Sequence, residues 1–156
     1  MPPTLKVVTV WLLLGLTVFL GFQAFEHRSQ RARFAVDGEV VEIRRSADGH
    51  YHWPGHINGH AVDFLIDTGA TSTAISLSLA RELGLPELGE VRGSPANGPV
   101  VGRVVLADLR LQGGVTAERL RLTALPQMGE RPLLGMDVLG KLRWQQHEGV
   151  LRIDLR

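Results

Sequence analysis

The chain has 156 residues, 17 Lys and Arg against 16 Asp and Glu, and no Cys. The lack of Cys excludes disulfides, thiolate metal sites and a Cys nucleophile. The balanced charge, without a long basic stretch, leaves a nucleic-acid role with no electrostatic support.

Val7 to Phe25 is an apolar run whose only strongly polar residue is Gln23. A helix needs about 20 residues to cross a hydrocarbon core, and the run approaches that length. Trp11, Phe22 and Phe25 suit the headgroup levels. The run is long for the core of a signal peptide, and no small-x-small cleavage site follows it. It therefore reads as an uncleaved, single-pass transmembrane anchor that contacts membrane lipid. Lys6 precedes the run, while Arg28, Arg31 and Arg33 follow it with Glu26 among them. The positive-inside rule favours a cytoplasmic C-terminal domain by a narrow margin, which leaves the side open. The three arginines suit lipid headgroups. The expected organisation is an anchor over 1–25, a juxtamembrane linker over 26–35 and one domain over 36–156, a common single-domain size.

From Val36 the pattern turns β-like. Glu39 to Arg45 is a strand candidate, Ser46 to Gly49 a turn, and His50 to Ile57 a returning strand that Pro54-Gly55 interrupts or places at an edge. Asn58-Gly59 is a two-residue hairpin signal, after which His60 to Ile66 runs into Asp67. Ser76 to Leu83 predicts a helix, capped by Ser76 and ended by Gly84. Pro86 to Pro99 is turn-rich and has no strong period. Val100 to Leu111 and Glu118 to Leu125 read as strands around Gly113-Gly114. Leu133-Leu134-Gly135 opens a short helical segment to about Leu142, and Gly149 to Leu155 is a final strand.

The chemistry centres on Asp67-Thr68-Gly69-Ala70, which occurs once. A carboxylate ending an apolar strand loses hydration, and hydrogen bonds or a held proton must offset the loss. Gly69 permits a sharp turn that aims the carboxyl into a cleft, and Thr68 offers a hydroxyl to neighbouring backbone. Asp137 is a conceivable partner within the chain. Its plainer role is to favour the N-terminal end of the short helix. It lacks the following Gly turn and preceding apolar strand that mark Asp67. His50, His52, His56 and His60 fall across a Pro-Gly break and a hairpin rather than on one helix. They read as exposed hairpin residues, with no metal expected. Asp63 reads as an exposed or edge-facing strand residue. Thr71 and Ser72 lack a matched base and read as residues that satisfy the turn.

The triplet Asp67-Thr68-Gly69 followed by Ala70 resembles the active-site signature of retropepsin-like aspartic proteases. With His50-Tyr51, Ile57-Asn58-Gly59, Ala80, Leu83-Gly84-Leu85, Ala96-Asn97-Gly98 and Leu134-Gly135-Met136, the chain looks like the membrane-anchored, clan AA branch of proteobacteria. The likeness implies a mostly β, closed retropepsin-like domain, an acid-protease half with one or two short helices, behind the N-terminal transmembrane helix. A bacterial inner-membrane location comes with it. It implies Asp67 as the catalytic residue, with Thr68, Gly69 and Ala70 supporting the loop. Leu133, Leu134 and Gly135 pack beneath the loop, and Ala96, Asn97 and Gly98 lie in a flap. Pro95 stands where Thr often precedes Ala-Asn-Gly in that family, and it stiffens the base of the flap.

The implied reaction is metal-free and cofactor-free cleavage of a protein or peptide substrate. Two carboxyls that share a proton are needed, and one triplet per chain supplies them only through a C2 homodimer. A non-catalytic dimerisation or peptide-binding module on the same fold is the alternative. A histidine-based metal domain is a third reading.

Overall fold

The computed structural model describes residues 3–31, 34–37, 40–93 and 100–155. It divides into two units, Met1–Arg33 and Phe34–Arg156.

The first unit is helix α1 (Pro3–Arg31), which contains the whole apolar run. Its large apolar side chains from Val7 to Leu20 are all at least 53 % exposed. The helix therefore buries no face of its own. The expected bilayer span is not found. Among the described residues no helix is long and apolar enough to cross a membrane.

The second unit is mostly β. Strands β1 (Phe34–Asp37), β2 (Val40–Arg44), β11 (Val150–Asp154) and β10 (Arg143–His147) form an antiparallel sheet in that spatial order. A second sheet runs β3 (His52–Ile57), β4 (His60–Ile66), β9 (Leu133–Leu134), β5 (Ala74–Ser76), β8 (Thr116–Leu125), β7 (Val100–Leu111) and β6 (Glu87–Gly93). Pairing of β3 with β7 closes that sheet into a barrel. The ladder spans Gly55 to Ile57 and starts one residue after Pro54, which has no N–H to give. Pro54 thus limits the ladder without breaking β3.

Local signals explain the turns. Asn58 and Gly59 have φ of 48° and 84°, the left-handed pair that a two-residue hairpin needs. Asn58 Oδ1 accepts the Asp108 N–H at 2.7 Å, which ties this turn to an irregularity in β7. Helix α2 (Leu77–Glu82) begins where Ser76 Oγ accepts the Leu79 N–H. Gly84, at φ 59°, follows its end.

Trp53, Ile57, Phe64, Ile75, Leu122 and Leu134 are fully buried and join Val41, Ile43 and Ile153 of the other sheet in one core. Each such side chain contributes about 1.5–3 kcal/mol of burial. The Trp53 indole donates to Gln112 O at 2.8 Å, so its polar edge is satisfied.

One predicted histidine behaves differently from the rest. His50, His56 and His60 are exposed, but His52 is only 6 % exposed. His52 has the outward parity of the exposed Pro54 and His56, so its burial comes from Asp48 of the preceding turn and Asp63 of β4 lying over it. Its Nε2 lies 2.8 Å from Asp48 Oδ2. Its Nδ1 lies 3.2 Å from Asp63 Oδ2, at ion-pair distance but outside hydrogen-bond geometry. Arg131 approaches the same Asp48 oxygen at 3.4 Å. Asp63 is half exposed on the strand, as its pattern predicts.

Asp48 sits in the turn before β3. The His50 backbone N–H, and then the His52 side chain, hold its carboxyl down at about 2 from the ordinary 3.8. A depressed folded value means that the ionised group stabilises the fold above its unfolded pKa of about 3.9. That contribution disappears as pH falls through about 2. Asp48→Asn should therefore melt below wild type at pH 5, with the gap closing between about pH 4 and pH 2. Thermal unfolding followed by circular dichroism across that range reads it.

Candidate active site

Strand β4 delivers Asp67. Leu65 and Ile66 pair in parallel with Leu133 and Leu134 of β9. The Asp67 N–H then extends the ladder by one bond to Leu134 O, 3.0 Å. Apolar residues on both strands fix the register, since a slip of one residue would turn Phe64 out of the core. The loop folds back through Ala70 N–H to Asp67 O, 3.2 Å.

The Asp67 carboxyl is half-buried. Its Oδ1 accepts the Gly69 N–H at 2.9 Å. Its Oδ2 accepts no hydrogen bond among the described residues, so one oxygen is open to water or to a second carboxyl. Gly69 allows the turn without a positive φ. A Cβ there would sit 3.2 Å from Asp67 Oδ1. The glycine gives the carboxylate room and its N–H access. Thr68 is exposed, and its hydroxyl has no hydrogen-bond partner among the described residues. The expected bond to neighbouring backbone is absent because the side chain faces outward.

The loop is braced from below by the segment around Gly135. Ala70 O accepts Met136 N–H at 2.8 Å, and Thr71 O accepts Asp137 N–H at 3.1 Å. Any Cβ on Gly135 would lie 2.5 Å from Ser72 C and 2.7 Å from Ser72 O. Only glycine allows that approach. Ser72 Oγ meets Thr123 Oγ1 of β8 at 3.1 Å. Leu134 is buried beneath the loop, while Leu133 is half-buried.

Asp137, in the first turn of α3 (Met136–Leu139), is the residue that sequence reasoning underweighted. Its two oxygens accept Thr73 N–H at 3.0 and 2.9 Å. Oδ1 also accepts the Thr73 hydroxyl at 2.7 Å and Val138 N–H at 3.0 Å. The Thr73 hydroxyl in turn accepts Gly135 N–H at 3.2 Å. A carboxylate so occupied is a brace, not a partner for Asp67. It stands in the first turn of its helix, as its position suggested, but its main bonds go to Thr73. Thr73 is fully buried, yet in the run Thr71-Ser72-Thr73 nothing local separates it from its exposed neighbour Thr71.

The flap residues Ala96, Asn97 and Gly98, with Pro95, lie outside the described residues. On either side β6 and β7 pair as far as Gly93 with Val100. Among the described residues no group of three His, Cys, Asp or Glu is placed to hold a metal ion.

Residues 53–141 match the family model described as gag-polyprotein putative aspartyl protease. The chain belongs to this family. The matched span runs from Trp53 through Asp67 and the Gly135 brace to the end of α3. Among solved structures, this family member is similar to a retropepsin-like aspartic protease from Rickettsia conorii. That match has TM-score 0.59 and 17 % identity, over 78 % of this chain and 94 % of the other. It is also similar to the EIAV protease complexed with the inhibitor HBY-793, at TM-score 0.48 and 17 % identity, over 62 % and 90 % of the two chains. No curated protein sequence matches. The domain is a retropepsin-like aspartic protease in family and in fold.

Asp137→Ala should leave the Thr73 N–H and hydroxyl unsatisfied and cost about 2–3 kcal/mol of stability. Asp137→Asn should cost less, since its carbonyl oxygen still accepts from Thr73. Urea unfolding of the two variants against wild type gives the order.

Proposed function

We propose that the chain is an aspartic endopeptidase whose dyad is two copies of Asp67 meeting on the axis of a homodimer. The observation that carries this reading is the pair of carboxylates within one chain. Asp67 keeps an open oxygen at the end of β4, whereas Asp137 is bonded to Thr73 and Val138. The second carboxyl for the reaction must then come from a second chain.

In this reading one Asp67 carboxylate takes a proton from water as the water oxygen bonds to the scissile carbonyl carbon. The other Asp67, protonated, hydrogen-bonds the carbonyl oxygen. A proton then passes to the amide nitrogen as the C–N bond breaks, leaving an acid and an amine. Two carboxyls at one water cannot both ionise readily, so they share a proton and titrate as a pair. Thr68, Gly69 and Ala70 shape the loop, and Leu133, Leu134 and Gly135 hold it from below. Ala96, Asn97 and Gly98 close over the substrate as a flap.

The same reading places the protein at a membrane. Support comes from the exposed apolar surface of α1, which has no partner face within its own unit. Association with lipid would confine the chains and raise their effective concentration for pairing.

Asp67→Asn should abolish peptide cleavage and leave the melting temperature near that of wild type. Excess Asp67→Asn chains should also suppress wild-type activity by forming pairs with one carboxyl, and the wild-type activity should favour acidic pH. Near-wild-type turnover by pure Asp67→Asn protein would defeat the catalytic reading and favour a binding module on the same fold. Concentration-independent activity, unaffected by the variant, would defeat the dimer.

Cell fractionation tests the location. The full chain should stay with membranes through an alkaline carbonate wash and leave them in detergent. Its recovery in the wash would remove the membrane proposal.

A further inference from the structure

Four residues form one row across the barrel wall. Ala61 of β4 stands opposite His56 of β3, His56 opposite Arg110 of β7, and Arg110 opposite Thr116 of β8. All four are exposed. The centre of the row carries the two large basic side chains, and small ones stand at both ends. Neither the His56 ring nor the Arg110 guanidinium has a hydrogen-bond or ion-pair partner among the described residues. Residues directly opposite in an antiparallel ladder have Cβ atoms about 4.5–5.5 Å apart, so a single carboxylate can reach both. Like charges so placed destabilise a sheet, and an anion between them reverses that cost.

The row borders two recesses of different character. One holds about 510 Å³ and has Pro54, Ala61, Val62, Leu111 and Gly113 in its wall, with no acidic residue. Its volume lies in the range of small-ligand sites, about 300–1,000 Å³. The other holds about 370 Å³ and includes Asp108 and Glu118. Asp108 Oδ1 is engaged by the Arg119 N–H at 2.7 Å, and neither acid lies within ion-pair distance of Arg110 among the described residues. An apolar recess that ends at two basic groups fits an apolar side chain with a carboxylate beside it.

The row also shares a face with the catalytic aspartate. Along β4, Ala61, Asp63, Leu65 and then Asp67 alternate onto one face. The strand from Ala61 to Asp67 covers about 20 Å at about 3.3 Å per residue.

We propose that this row is a second docking point for the protein substrate, taking an acidic residue flanked by an apolar one outside the cleaved stretch. The proposal rests on the peptidase reading above. The substrate carboxylate forms paired bonds to the Arg110 guanidinium and meets His56. The apolar side chain enters the recess beside Pro54 and Val62. An extended chain covers the distance to Asp67 with about six residues or more, so preferred substrates carry the acidic residue at least that far from the scissile bond.

Binding is read first, on the full Asp67→Asn chain in detergent, where no probe is cut. In equilibrium dialysis acetyl-Leu-Glu-Leu-Glu-amide should bind at least about tenfold tighter than acetyl-Leu-Gln-Leu-Gln-amide. It should bind at least about threefold tighter than acetyl-Gly-Glu-Gly-Glu-amide. Adding Arg110→Gln should erase the acidic preference, whereas Arg121→Gln, which removes an exposed cation of β8, should keep it. Both variants should melt with their parent. In the active chain, Arg110→Gln should raise KM at least about fivefold and leave kcat unchanged for a cleaved peptide extended by Leu-Glu-Leu-Glu. The unextended peptide should show no change. Equal binding of the acid and amide probes, or an acidic preference that survives Arg110→Gln, overturns the proposal. Equal binding of the Leu and Gly probes does so too, because the apolar recess then takes no part. An unchanged KM, with cleavage still abolished by Asp67→Asn, leaves the peptidase reading and removes this docking point. Arg110-dependent binding by a wild-type chain that cuts no peptide does the reverse.

Discussion

The close approach of Gly135 to the Ser72–Thr73 backbone governs the rest of the site. It lets the Asp67 loop and the start of α3 lie against each other with no side chain between them. Ala70 and Thr71 carbonyls then meet Met136 and Asp137 N–H groups, and the Asp137 carboxylate closes on Thr73. The β4–β9 ladder beneath is only two residue pairs long. A ladder of that length does not fix a loop by itself. The Thr73–Asp137 clamp supplies the constraint, so the direction of the Asp67 carboxyl depends on a contact 64 positions away in the chain.

The same clamp divides the labour between two acidic residues. Both Asp137 oxygens are taken up by donors from Thr73 and Val138. Asp67 has one backbone donor and one open oxygen. Elsewhere, Asp48 keeps its charge down to about 2 because His50 and His52 donate to it. The contacts of Asp48 with His50 and His52 therefore persist well into the acidic range.

Much of this was legible before any coordinates. The Asn58-Gly59 hairpin, strand β4, the capped helix after Ser76 and the placement of Asp67 all follow from local rules on turns, caps and apolar patterning. The Leu-Leu-Gly element was read as opening a helical segment, whereas Leu133–Leu134 form β9 and the helix covers only Met136–Leu139. The Thr73–Asp137 bond was not legible, because nothing local distinguishes one Thr in a Thr-Ser-Thr run. His52 was misread for a related reason. It lies on the outward face of β3 with His56, and only the Asp48 turn and Asp63 of β4, both reached through tertiary contact, cover it. The bilayer span drawn from Val7 to Phe25 went beyond what the described helix supports, although the helix itself formed.

Strands β6 and β10 were among those that periodicity passed over, and these two share a physical cause. Neither contributes a buried residue among those described, so neither carries the alternation that marks a half-buried strand. Backbone pairing with β7 or β11 defines them instead. A strand without an apolar face gains little from its own chain beyond those hydrogen bonds. When such a strand borders a functional loop, its missing inner face is informative. β10 lies beside Thr68 around a recess that its own chain leaves unfilled. The weakest sequence signal therefore coincides with an open sheet edge beside the Asp67 loop.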